Sequence, residues 1–98
     1  MTAGPCSDLV AIARVFRALS SPVRVTLLDR LSAGPQAVGE LVAATGFKQA
    51  NVSKHLGVLS AAHLVRHTRH GSRVLYSIAD QAVTALVEFA RTGHQSRG

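Results

Sequence analysis

The chain has 98 residues, which is enough for one small domain, and it has no apolar run near the ~20 residues of a membrane-spanning helix. Its net charge of +6 favours nucleic acid or an anionic surface as the partner. Hydrophobic residues make up 47% and charged residues 16%, so we expect surplus apolar surface, most simply for a second copy. The single cysteine excludes an internal disulfide, and no signal-peptide pattern is seen, so a cytoplasmic setting is expected.

The first half of the chain predicts three helices. Residues 1–7 read as a flexible lead, and from residue 8 apolar positions recur every three or four residues, which is typical of a helix. Ser21 followed by Pro22 signals a second helix, which stops before Gly34. A third, short helix around Leu41 ends at Gly46.

The second half predicts a helix, a β-hairpin and a last helix. The fourth helix spans residues 49–61, and the strands are expected at residues 65–68 and 74–78 with a glycine-bearing loop between them. Asp80 is expected to cap the last helix, and residues 93–98 read as a flexible tail. The fold class is therefore mainly α with a β-hairpin, in the order ααααββα, within one domain of residues 8–92.

Residues 41–78 contain no Asp or Glu. The same stretch carries five cations, which are Lys48, Lys54, Arg66, Arg69 and Arg73. A carboxylate near a phosphate costs Coulomb energy, so a surface cleared of acids suits a polyanion. This distribution predicts a double-stranded DNA partner.

The third and fourth helices have the spacing of a helix–turn–helix. If Val52, Leu56 and Leu59 face inward, the outward N-terminal part of the fourth helix can enter the major groove. That part carries the candidate DNA-binding residues Lys48, Gln49, Asn51, Ser53, Lys54 and His55. Gln and Asn side chains can pair with adenine, whereas Lys reaches guanine or phosphate. The alternative is a solvated polar face on an ordinary helix pair.

The hairpin is predicted to act as a cationic wing beside that helix. Arg69, His70 and Arg73 flank or form its tip, where they can contact backbone phosphates or the minor groove. The alternative is that these charges only protect an edge strand from aggregation.

The terminal helices carry more apolar residues than one small core requires. We expect a dimer interface formed by Leu9, Ile12, Phe16, Val83, Leu86 and Val87. The alternative is that these residues close the monomer.

Three motifs resemble the ArsR/SmtB family of winged-helix repressors. They are FRALSSPVR at residues 16–24, VSKHLGVL at 52–59 and GSRVLYSI at 71–78. The resemblance covers roughly residues 9 to 90 and implies a homodimer through the first and last helices. It also implies binding to a palindromic operator, from which an inducer releases the protein. Lys48 departs from the small capping residue that the family often has.

The resemblance does not extend to the family's metal sites. Residues 36–39 lack the Cys-x-Cys pair, and Ala82 and Gly93 stand where the last-helix site would need histidines beside Asp80. No cofactor is therefore predicted, although two metal sites stay open as alternatives. One uses His63, His67 and His70, and the other uses His94 with Cys6 or Asp8; Cys6 could also sense oxidation.

No catalytic residue pattern or phosphate-binding loop is present, so the chain is not expected to be an enzyme. A winged helix that acts through a partner protein, as an adaptor or activator, is the rival hypothesis.

Overall fold

The computed structural model describes the backbone of residues 4–95 and the side chains of residues 8–93. Over this part the order is four helices, a two-stranded hairpin and a fifth helix. The bounds are α1 (Gly4–Ala18), α2 (Pro22–Leu31), α3 (Val38–Thr45), α4 (Gln49–Ala61), β1 (Val65–His70), β2 (Arg73–Ile78) and α5 (Gln81–Gln95). The predicted ααααββα fold class is confirmed.

Both terminal helices are longer than the sequence pattern predicted. Helix α1 begins at Gly4, four residues before the predicted start, and α5 continues to Gln95. Pro5 lies in the first turn of α1, where the missing N–H has no helical partner to lose. Residues 1–3 and 96–98 lie outside the described part, so the flexibility expected of both ends stays a prediction.

Side-chain caps fix two of the helix starts. The Ser21 hydroxyl accepts a hydrogen bond from the backbone N–H of Arg24 at 3.3 Å, and Pro22 occupies the first helical position. At α5 the Asp80 carboxylate accepts from the backbone N–H of Ala82 at 2.8 Å. The capping signals at Ser21 and Asp80 therefore act as predicted.

The hairpin loop is shorter than predicted. Strand β1 ends two residues later than expected, and β2 begins one residue earlier. His70 pairs with Arg73, which leaves a two-residue turn of Gly71 and Ser72. Gly71 has φ 66°, a left-handed value that glycine adopts without strain and that suits the first position of a type II′ turn. Lower down, His67 faces Tyr76 across the strands with ring centroids 5.4 Å apart.

A third backbone segment pairs with the hairpin. Gln36, between α2 and α3, exchanges two hydrogen bonds with Tyr76 of β2, with N–O distances of 3.0 and 2.8 Å. This bridge attaches the hairpin to the chain that enters α3. The sequence pattern did not predict it.

The core lies between α2, α3, α4 and the base of the hairpin. Its side chains are almost fully buried: Leu27, Leu28 and Leu31 from α2, Leu41 from α3, Val52, Leu56 and Leu59 from α4, Leu64 just before β1, and Val65 at its start. Helix α1 adds Ala18, which is buried, and Val15, which is partly buried against the cluster, as is Leu19 just after the helix. Most of the described side chains of α1 therefore lie outside the core.

No helix in the described part of the chain is both long and apolar enough to cross a membrane.

Candidate nucleic-acid interface

Helix α4 is fixed by its inward face. Val52, Leu56 and Leu59 are fully buried, as predicted, and they recur at the four- and three-residue spacing of one helical face. The turn before α4 begins at Gly46, whose φ of 78° is left-handed and whose N–H donates to the Val42 carbonyl at 2.8 Å. Three residues therefore join α3 to α4, as expected of a helix–turn–helix.

Five of the six predicted residues at the start of α4 are exposed. They are Lys48, Gln49, Asn51, Ser53 and Lys54, and none of these side chains hydrogen-bonds or ion-pairs with another described residue. Lys48 holds the N-cap position without a capping side-chain hydrogen bond. The first turn of α4 therefore presents backbone N–H groups, amide side chains and cations with no acidic neighbour in the same stretch.

His55, the sixth, differs from the other five. It is half-buried, and its Nδ1 lies 3.1 Å from Nη1 of Arg24 on α2. Burial, followed by the charges of Arg24 and Lys54, lowers the pKa of His55 below its usual 6.5. Burial and the two cations therefore favour the neutral ring, and His55 is not simply an outward base-reading group.

Arg73 of the wing is not free. Its Nη2 lies 3.1 Å from the Glu40 carboxylate of α3, and that same carboxylate accepts from the backbone N–H of Ala37 at 2.8 Å. These two contacts, the Ala37 N–H first and the arginine charge with it, hold the pKa of Glu40 below its ordinary value of 4.5. Glu40 thus caps α3 and pairs with the wing.

The remaining cations of residues 41–78 divide into free and engaged groups. Arg69 is exposed, and its side chain has no hydrogen bond or ion pair among the residues described. Arg66 donates to the Ala79 carbonyl at 2.7 Å, and His70 exchanges a hydrogen bond with Thr68 at 3.2 Å. Lys48, Lys54 and Arg69 are therefore the cations best placed to meet phosphate.

The terminal helices present an apolar face, with one correction to the predicted set. Leu9, Ile12 and Phe16 are exposed on α1 at a spacing of three and four residues, and Phe89 on α5 is 78% exposed. Val83, predicted for the interface, is only 6% exposed and belongs to the monomer core instead. It lies in the first turn of α5, which packs directly on the core helices, so it is already covered.

Leu86 and Val87 lie between these extremes. Both are half-buried, and with Phe16, Leu19, Val25 and Ala90 they line an apolar groove of about 480 Å³ where α1, α2 and α5 meet. At its rim Arg91 pairs with Asp29 of α2 and with Glu88. The groove is continuous with the exposed side of α1 through Phe16.

Within one copy, the described side chains do not assemble either of the metal sites that the family resemblance implies. No group of three potential ligands comes together among the described side chains. Ala37 stands at the N-cap of α3, and the Asp80 carboxylate is engaged as a helix cap. The side chains of Cys6 and His94 lie outside the described part, so the site and the oxidation response suggested for them stay untested.

Sequence reasoning missed Arg24, Glu40 and Gln36 as contacts of the site. Glu40 stood three residues into a predicted helix, which is a signal for a cap but not for a pair with the wing. Arg24 lies 31 residues from His55, and no local pattern reveals such a contact.

Comparison with known proteins identifies the family and the fold of the chain. A helix-turn-helix domain family matches residues 19–68. The chain is 38% identical over 87 residues to a probable mercury resistance operon repressor of Streptomyces lividans, covering 89% of this chain and 70% of that protein. It is 39% identical over 83 residues to the transcriptional repressor SmtB of Mycobacterium tuberculosis, covering 85% of this chain and 62% of that protein.

Among solved structures, the chain superposes with a TM-score of 0.92 and 30% identity on a winged helix-turn-helix DNA-binding domain from Mycobacterium bovis. The match covers 99% of this chain and 90% of that one, which is described as homodimeric and as a possible ArsR-family regulator. These are regulators and not enzymes, which confirms the prediction that this chain is not an enzyme. Family match, sequence identity and fold agree, and the chain belongs to the ArsR/SmtB family of winged helix–turn–helix transcriptional regulators.

Proposed function

We propose that the chain is a homodimeric, sequence-specific repressor that binds a palindromic operator in the cytoplasm. The observation that carries the proposal is the start of α4, where five exposed polar or cationic side chains have no protein partner among the described residues. A surface with unused donors, no carboxylate in residues 41–78 and a rigid apolar underside is suited to DNA. The names of the relatives from Streptomyces lividans and Mycobacterium tuberculosis support repression.

Within this proposal the exposed residues have different tasks. Gln49 and Asn51 read base edges, since their amides can both donate and accept, and Ser53 contacts either a base or the backbone. Lys48, Lys54 and Arg69 hold phosphates and so fix the register without reading sequence. Arg73 is paired with Glu40, so it can contact a phosphate in one of two ways. Its guanidinium either binds Glu40 and the phosphate together or breaks the pair with Glu40.

Dimerisation follows from the apolar face of the terminal helices. Leu9, Ile12, Phe16 and Phe89 are exposed hydrophobic side chains, and Leu86 and Val87 continue the face into the groove. A second copy packed there buries this surface and provides a second α4. Two such helices can read half-sites about 34 Å apart on one side of the duplex.

The test is selection of duplexes from a random-sequence pool, followed by gel-shift titration. We expect a palindromic site bound by two copies, with far weaker binding to random DNA. Gln49→Ala and Asn51→Ala should each relax the preference at one base per half-site. Equal losses on selected and random DNA would contradict the reading roles.

A protein-interaction module is the second candidate function, because the exposed Phe89 and the apolar groove also suit a hetero-partner. It predicts no sequence-specific shift and no enrichment in the selection.

The described residues do not identify the effector that would release the repressor from its operator. The relative named for a mercury resistance operon makes a metal ion the first effector to test. Metal analysis of the purified protein, with operator affinity measured before and after chelation and oxidation, separates metal, redox and metal-independent release.

A further inference from the structure

Arg24 joins three parts of the molecule through one guanidinium. Its Nε donates to the Ala18 carbonyl at 2.6 Å and its Nη2 to the Arg17 carbonyl at 3.3 Å, both at the end of α1. Its Nη1 lies 3.1 Å from Nδ1 of His55 on α4. An exposed arginine rarely holds one conformation, whereas this one is fixed at three points by two helices.

The chemistry of the two partners settles which atom of His55 carries the proton. A guanidinium only donates hydrogen bonds and does not lose its charge, so Nδ1 of His55 must accept. The neutral ring therefore has its proton on Nε2. Nε2 has no hydrogen-bond partner among the side chains of residues 8–93, and the half-buried ring is still reachable from solvent.

We propose that Arg24 is a positioning residue for DNA binding, which holds neutral His55 so that its Nε2–H donates to a phosphate oxygen of the operator. The inference rests on the proposed function, since it needs DNA at α4. His55 lies one helical turn beyond Asn51 and next to Lys54, and it borders the side of α4 that packs against the protein. With the outward residues of α4 facing the bases, a residue at this edge is directed to the sugar–phosphate backbone, whose contacts fix the register of the protein.

The charges around His55 favour the same state. Arg24 on α2 and Lys54 on α4 are the charged groups that face it, and both oppose a proton on Nδ1, as does its partial burial. His55 therefore contacts phosphate as a dipole and displaces no counterion. The contribution of His55 to affinity should therefore be independent of salt concentration, unlike that of a lysine.

Two substitutions of His55 divide the roles of its nitrogens. His55→Gln places an amide N–H near the Nε2 position, whereas His55→Asn reaches only the Nδ1 position and can still accept from Arg24. We expect His55→Asn to weaken operator binding by about tenfold and His55→Gln to weaken it less. Neither should change the slope of affinity against salt concentration. If His55→Asn binds as well as His55→Gln or better, the ring serves only to anchor α4, and the proposal is wrong.

Arg24 is tested in the free protein and in the complex. In Arg24→Met we expect NMR titration to show the pKa of His55 rising towards its ordinary value, because one of the two opposing charges is gone. Operator affinity should fall, and adding His55→Asn should cost little more, since the donor is already misplaced. Additive losses in the double variant would overturn the coupling.

Folding and DNA binding are checked separately. Should Arg24→Met lose its helical circular dichroism, Arg24→Lys keeps a donor for the end of α1 without the fork. Because lysine keeps the positive charge, the affinity and double-variant readouts apply to Arg24→Lys and the pKa readout does not. A wild-type protein that fails to enrich any duplex sinks the proposed function and not the Arg24–His55 geometry. A wild type that binds its operator, with His55 variants that bind equally well, sinks this inference alone.

Discussion

The helix–turn–helix with its wing and the pair of terminal helices both leave surface without a partner, but of opposite chemistry. The start of α4 presents cations and amides over a fully buried apolar spine. The terminal helices present Leu9, Phe16 and Phe89 to solvent instead. Exposed cations are well solvated in water and can bind a polyanion. Exposed apolar surface is unfavourable in water and therefore drives association.

The two regions also differ in how the monomer supports them. Helix α4 is held by Val52, Leu56 and Leu59, all fully buried, so its orientation is set within one copy. Among the described side chains of α1, those packed against the core lie near its end, at Ala18 and its partly buried neighbours. The proposed DNA face is therefore formed within one copy, whereas the apolar face of the terminal helices needs a second copy to cover it.

The largest expected effect comes from breaking the apolar region. Phe16→Glu puts a charge on the exposed stripe of α1, and since Phe16 is 59% exposed in one copy, the monomer should still fold. We expect monomers by sedimentation velocity. Operator affinity should fall roughly 100-fold or more, because the second half-site is no longer bound by a linked copy.

Val58→Glu is the matched control for oligomeric state. It makes the same change at an exposed apolar residue of α4, which lies beside Arg14, Arg17 and Ala18 of α1 and not beside the exposed apolar stripe of that helix, and it should remain dimeric. A dimeric Phe16→Glu variant would place the interface elsewhere.

The charged region is tested by comparing a free cation with an engaged one. Lys54→Ala should weaken operator binding by about tenfold and reduce the salt slope by about one phosphate per copy. Arg66→Ala removes the same charge, but Arg66 is bound to the Ala79 carbonyl, so its salt slope should match the wild type. Equal slope changes in both variants would show that position on α4 is not what matters.

A smaller effect on operator affinity is expected from replacing Glu40, the acid that borders the charged region. Glu40→Gln removes the partner of Arg73 but keeps an oxygen that can accept from the Ala37 N–H. With Arg73 released and one negative charge gone, operator affinity should rise about two- to fivefold. Fluorescence anisotropy at fixed salt measures this, and Arg73→Ala should remove the gain. A weaker complex would instead mean that Glu40 holds the wing in its binding position.

The smallest effect concerns stability against pH. The folded pKa of Glu40 lies below 4.5, so its stabilising contribution is complete above pH 4.5 and is lost as the pH falls through the lower folded value. The difference in the free energy of unfolding between wild type and Glu40→Gln should therefore shrink on acidification. Denaturant unfolding at pH 7 and at about pH 3 checks it. If the difference in the free energy of unfolding does not change with pH, ionisation of Glu40 is not what stabilises the wild type.

Local patterns in the sequence were sufficient for the order of elements and for much of the candidate site. Apolar spacing placed α2, α3 and α4, and Ser21 and Asp80 marked helix starts by a chemistry confined to one turn. The absence of acids in residues 41–78 located the proposed DNA face, since charge distribution is legible without coordinates.

Contacts between distant segments were decided only by the tertiary structure. The Arg24–His55 and Glu40–Arg73 pairs join residues 31 and 33 positions apart, and the Gln36–Tyr76 bridge joins residues 40 apart. Such pairs depend on how helices dock and where long side chains then reach, which periodicity does not encode. The same docking buried Val83 while it left Phe89 exposed, although both are apolar residues of α5. The sequence alone thus determined which residues have the chemistry to bind. Packing decided which of them are engaged within the protein and which stay exposed.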